Sequence, residues 1–190
     1  MMIAVFVILA SSANTFIYFA QIRIIADSFA DKTEQTFVFS IIDLTVNTAT
    51  IVLQLFITGR LAEHFGLKPL IAVVPVLIML CFVVLMFIPV LFVIVPVMVI
   101  RRVGEYALVR PGKEMLFSVV SLDEKYKAKN FIDTVIYRGG DVFSAFVSQG
   151  AEALGGMILS FAAGAVMAMI WIINALYLSD LFNHKSLEKL

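Results

Sequence analysis

Apolar stretches close to twenty residues long recur from one end of this chain to the other, parted by short polar interruptions. That length suits a helix crossing a hydrocarbon layer, which needs roughly 20 mostly apolar residues. The pattern predicts six crossings, at about 2–21, 36–57, 69–88, 90–109, 128–149 and 156–178. Gly66 and Pro69 bound the loop before the third, Pro89 marks a tight turn before the fourth, and Gly155 and Gly156 open the sixth. The fifth is the least apolar. The opening MMIAVFVIL carries neither a basic leader nor a small-residue cleavage site, so it reads as a spanning helix and not as a removed signal. No low-complexity tract interrupts the series, and 1–190 reads as a single all-α transmembrane domain.

Composition turns this pattern into a statement about solvent. Of the 190 residues, 62% are hydrophobic and only 15% are charged, against about 25% charged in a soluble domain. Mean hydropathy is +1.02. One core of this size cannot hide so much apolar surface from water, so lipid is the expected surrounding. The formal net charge is zero, which removes any bulk attraction to nucleic acid. The lone Cys81 excludes an intrachain disulfide, and His64 and His184 stand apart from one another. No metal-ligand spacing appears, and no cofactor or metal is expected. An enzyme acting on lipid phosphates would need a nucleophile–base pair, a metal cluster or a Gly-rich phosphate loop, and none is legible.

Basic residues predict the orientation, because they gather on the cytoplasmic side. One side would carry Arg60, Lys68, Arg101, Arg102, Arg110, Lys113, Lys125, Lys127, Lys129, Lys185 and Lys189; the other carries Arg23 and Lys32, with Arg138 inside a crossing. Both termini are therefore expected in the cytoplasm, with the SLDEKYKAKN segment a cytoplasmic approach to the fifth crossing.

Three polar clusters break the apolar pattern, and each ionised group at a helix centre costs about 2.5–3.5 kcal/mol on insertion scales. In the second crossing Asp43, Asn47, Thr50 and Gln54 fall on one helical face. They would bridge helices or line a pathway; the carboxylate of Asp43 favours the pathway. In the fourth, Arg101 and Glu105 are four apart and would pair along one face. A start near Val90 puts Arg101 about 16 Å along the helix, whereas an earlier start would let it snorkel to the membrane surface. In the fifth, Lys129, Asp133, Tyr137 and Asp141 step by four, and Arg138 reaches Asp141 at i+3 and Thr134 at i−4. Gly139 and Gly140 permit a close contact or a local break. The alternative for this segment is a helix lying on the cytoplasmic face, which would leave five crossings.

Two stretches carry a family resemblance. The loop GRLAEHFGLKPLI resembles the loop motif between the second and third helices of a major-facilitator six-helix half, with Glu63 at the usual aspartate. More specifically, EYALVRPGKEMLF followed by EKYKAKNFIDTVIYRGGD resembles the C-terminal half of the ATP:ADP antiporter (nucleotide transporter) family, especially its bacterial relatives. The matching positions are Tyr106, Pro111, Lys113, Glu114, Met115, Lys127, Lys129, Ile132 and Asp133, with Arg138 and Gly140 shared by some members. The resemblance implies half of a major-facilitator-type antiporter in a bacterial inner membrane, whose lysines hold phosphates as point charges. Three positions depart from it: Glu105 and Asp141 stand where the exchangers have lysine, and Arg110 stands where they have aspartate. A nucleotide would meet repulsion at the first two. The resemblance then fits a less anionic, zwitterionic or proton-coupled solute, with Asp133 and Asp141 as candidate proton carriers.

A major-facilitator transporter has two six-helix halves, so the chain is expected to need a complementary half, as a fragment, a split-gene product or a homodimer. The leading expectation is a transporter half that moves an organic anion or a phosphate-bearing metabolite by alternating access. Its substrate-binding or gating residues would be Asp43, Asn47, Arg101, Glu105, Lys113, Lys129, Asp133, Arg138 and Asp141. The alternative is a non-transporting membrane subunit or scaffold whose polar faces only join helices.

Overall fold

A computed structural model describes residues 2–118 and 129–187. Glycine, proline and one capping aspartate decide where its helices begin and end. α1 spans Met2–Ser28. Asp31 then starts α2, accepting the Thr33 N–H at 2.9 Å as an N-cap. α2 runs over Lys32–Phe65 and stops at Gly66, whose φ of 68° suits a residue without a Cβ. α3, Leu67–Phe87, takes Pro69 in its first turn, where no N–H is needed. Pro89 and the extended Val90 separate it from α4, which covers 91–116. α5 covers 129–187.

Four of these helices, α1, α2, α3 and α5, are long and apolar enough to cross a membrane, which makes the chain an all-helical, multi-pass membrane protein. The expected six separate crossings are corrected in two ways. α4 falls outside the four because it carries Arg101, Arg102, Glu105 and Arg110. The expected fifth and sixth crossings form one helical run. That run is not straight. Gly155 (φ −145°, ψ 19°) and Gly156 (φ 68°, ψ −166°) leave helical geometry, and the Ser148 and Ser160 hydroxyls meet at 3.1 Å across them. Twelve residues of straight helix would separate those hydroxyls by about 18 Å. α5 therefore doubles back, giving a first arm (129–154) and a second arm (157–187).

The packed centre lies where α1 and α3 run along the two arms of α5. Phe6 meets Trp171 edge-to-face at 5.6 Å, and Phe16 meets Phe82 at 6.3 Å. Gly140 lets the first arm approach α1 closely: a Cβ there would lie 3.2 Å from Ser11 Oγ and 3.3 Å from Ile8 Cα. α2 packs mainly on α4 and is otherwise open, with Leu44 69% and Leu55 73% exposed.

Candidate functional site

The polar sequence SSANT interrupts α1 halfway along, and it organises the site. Ser11, Asn14 and Thr15 are spaced i, i+3 and i+4, so they share a face. Asn14 Oδ1 accepts from Arg101 Nη1 of α4 at 2.9 Å. Ser11 and Thr15 both donate to Asp141 Oδ1 of the first arm, at 2.5 and 3.1 Å. One turn of α1 thus holds a guanidinium and a carboxylate with neutral groups. Both line an open cleft of about 440 Å³ with Asn14, Thr15, Tyr18, Phe19, Val142 and Ala145. Arg101 is ten residues into α4, about 15 Å along it, and Asn14 is about 18 Å along α1. α4 begins at Leu91, close to the start near Val90 expected from the sequence. Next to it on the same α1 turn, Ser12 accepts a hydrogen bond from Ser144 of the same arm at 2.5 Å, which pins the two helices in register.

A second cleft, about 540 Å³, lies between α2 and α4 and includes Asn47, Thr50, Gln54, Tyr106, Arg110 and Glu114. Its geometry begins with Pro111. Proline has no N–H, so the Ala107 carbonyl loses its i+4 donor. The Arg110 N–H turns back to the Glu105 carbonyl, making a π-turn over Glu105–Val109 and leaving Tyr106 O without its own donor. Both carbonyls are met from α2: Gln54 Nε2 donates to Tyr106 O at 3.0 Å, and Thr58 Oγ1 donates to Ala107 O at 2.8 Å. Thr58→Val should cost about 1–3 kcal/mol, the cost of a buried acceptor left without that donor. In a Pro111→Ala background, where the backbone donor returns, the cost should drop to a small fraction of that. A double-mutant cycle on thermal stability in detergent reads the coupling, and equal costs in the two backgrounds would contradict this account.

π-turns also redirect the expected charge pairs. Arg101 and Glu105 do not form an ion pair; Glu105 Oε1 instead lies 3.8 Å from Arg110 Nε, five residues on, as the wider turn stacks i over i+5. Arg110 also covers the Tyr106 ring at 4.4 Å. Arg102 pairs with Asp43 of α2, so Asp43 meets a cation that spacing alone does not indicate. A further π-turn over Ile132–Ile136 breaks the expected four-residue stepping of Lys129, Asp133, Tyr137 and Asp141. Lys129 pairs with Glu114 of α4 at 2.5 Å, whereas the Tyr137 carbonyl and the Asp141 carboxylate face Ser11 of α1. Arg138 does not hold Asp141; it is exposed on the first arm. Asn47 is exposed on α2, and Lys113 sits on α4 one turn after Val109. Asp133 lies on the π-turn backbone, with its side chain outside the described residues, as are Lys125, Lys127 and Lys189.

Ser11, Asn14, Thr15 and Thr58 were not among the sequence candidates. The signal for the first three was present as a compact polar cluster within an apolar run. The signal for Thr58 was indirect: a proline inside α4 demands side-chain donors from whichever helix lies beside it. The chain matches no protein-family model, no curated protein and no solved structure.

Proposed function

We propose that this chain is one half of a secondary transporter of the major-facilitator type, related to the nucleotide exchangers, which moves a small ionised organic solute by alternating access. The observation that carries the reading is the cleft between Arg101 and Asp141. Two charges stand about halfway along α4 and the first arm of α5, each held by neutral side chains, and both face one open space. Lipid penalises such charges, so their retention fits a path that admits water and an ionic solute. An organic anion or a phosphate-bearing metabolite accords with the exchanger resemblance, and Asp141 in the cleft weighs against a multiply charged nucleotide.

The reversal of α5 at Gly155–Gly156 supports counting its two arms as separate crossings, since each exceeds the roughly 20 residues a crossing needs. α4 supports the same count, because Arg101, Arg102 and Glu105 all have polar partners within the protein. In this reading both termini are cytoplasmic. Asp43, Asn47 and Gln54 are exposed on α2, and a complementary half seated on α2 and α4 would cover them. The Asp43–Arg102 and Glu114–Lys129 pairs would serve as gating contacts that break and re-form between states.

The Gln54 and Thr58 bonds to α4 favour a second reading, in which polar residues only join helices of a non-transporting subunit. Solvent access separates the two. Native Cys81 is buried and is removed first as Cys81→Ala. Cysteine at Ala145 or Asn47 should then react with a membrane-impermeant, charged thiol reagent at least about tenfold faster than cysteine at Val166, which is exposed on an apolar face. Equal, slow labelling at all three positions favours the scaffold.

A further inference from the structure

We propose that the cleft between α1, α4 and the first arm of α5 binds a zwitterion, a solute with one carboxylate, one ammonium group and an apolar body. The proposal rests on the transport reading and names its substrate class. The lining carries one cation and one anion, Arg101 and Asp141, and no ion pair joins them. Each is anchored on one side only. Asn14 occupies Arg101 Nη1, while Arg101 Nε is buried without a partner. Ser11 and Thr15 both bond Oδ1 of Asp141, and no donor among the described residues is placed on Oδ2. Neutral anchors fix the direction of each charge without cancelling it.

Four kinds of solute can be set against this arrangement. A polyphosphate would satisfy Arg101 and repel Asp141. A simple carboxylate leaves Asp141 unmatched, and a simple amine leaves Arg101 unmatched. A molecule with both groups matches both, because a charge removed from water needs a charged or hydrogen-bonding partner. The remaining wall, formed by Tyr18, Phe19, Val142 and Ala145, suits an apolar side chain. A volume of about 440 Å³ lies within the range of small-molecule sites. A zwitterionic lipid headgroup shares part of this chemistry, but it sits at the bilayer surface, whereas Arg101 and Asn14 lie about 15–18 Å along their helices.

Arg101 and Asp141, the two charges the proposal uses, both belong to this chain, and the proposal commits to binding by this chain alone. The test uses the purified full chain in detergent and measures binding by titration calorimetry. The probes are leucine and phenylalanine, each with its deaminated analogue (4-methylpentanoate, 3-phenylpropanoate) and its decarboxylated analogue (3-methylbutylamine, 2-phenylethylamine), together with inorganic phosphate and phosphoethanolamine. At least one amino acid should bind ten or more times tighter than either analogue. Asp141→Asn should erase its advantage over the deaminated analogue while keeping its advantage over the amine. Arg101→Gln should do the reverse. Should a variant fail to fold, the wild-type panel still decides. Tighter binding of the carboxylates or phosphate overturns the zwitterion and leaves the transporter reading standing. Tighter binding of phosphoethanolamine assigns the cleft to a headgroup and also overturns it. Binding by none of the probes overturns it too, and slow thiol labelling at Ala145 would then remove the transporter reading as well.

Discussion

On the transporter reading proposed above, uptake of the solute should fall about a hundredfold when Arg101 is replaced by alanine. The side chain spans from α4 to Asn14 of α1 and presents the only cation of the central cleft among its described lining residues. Removing one partner of a desolvated, hydrogen-bonded charge contact costs about 2–5 kcal/mol, and each 1.4 kcal/mol is tenfold. Arg101→Lys should recover only part of the loss, because an ammonium lacks the planar fork that holds Asn14 and still has N–H groups to offer a ligand. The measurement is initial uptake in cells making equal amounts of membrane-inserted protein. Uptake within threefold of wild type would detach Arg101 from the transport path and leave it a structural strut between α1 and α4.

The second large effect concerns packing. Gly164→Val should lower stability by about 1–3 kcal/mol, the range for inserting methyl groups into a filled core. Even a Cβ at Gly164 would stand 2.6 Å from Phe82 Cε1 and 2.7 Å from Cζ. The Phe82 ring has no room to yield, since it is fully buried and wedged edge-to-face against Phe16. Gly164 is thus where the second arm of α5 comes close to α3, the use small residues find in membrane helix packing. Gly139→Ala is the matched control. Its Cβ meets nothing within 4 Å, so it should leave stability unchanged or raise it by up to about 1 kcal/mol, the gain of alanine over glycine inside a helix. Thermal midpoints of both variants in one detergent compare them directly, and an unshifted Gly164→Val midpoint would show the α3–α5 contact to be loose.

How the chain divides into helices was largely written in its residues, though their extents were not. α1 continues to Ser28, beyond the expected end near residue 21, because the polar stretch QIRIIADS stays helical and Arg23 finds Glu152 near the α5 reversal. α2 runs on to Phe65 through a π-turn over Gln54–Thr58. Hydropathy marks where lipid begins and ends; it does not mark where a helix does, since an amphipathic or charged turn continues at no cost once its side chains find partners.

The sequence by itself determined the medium and the breaks. Apolar runs of crossing length need lipid, and Gly66, Pro89 and Gly155–Gly156 stop helices through backbone geometry that holds in any surroundings. It also placed Arg101, Asp43 and Asp141 in apolar segments. Only the tertiary structure decided what those charges touch. Spacing arguments pair Arg101 with Glu105 and Arg138 with Asp141, and they assume an unbroken α-helix whose charges have no nearer choice. Pro111 forces a π-turn that carries Glu105 round to Arg110, and a second π-turn at Ile132–Ile136 displaces the face of the first arm. Asp141 then meets Ser11 and Thr15, more than a hundred residues away in sequence. Those contacts exist because Gly140 lets two helices nearly touch, and a close approach of that kind is set by the packing of the whole bundle and not by the periodicity of any one helix.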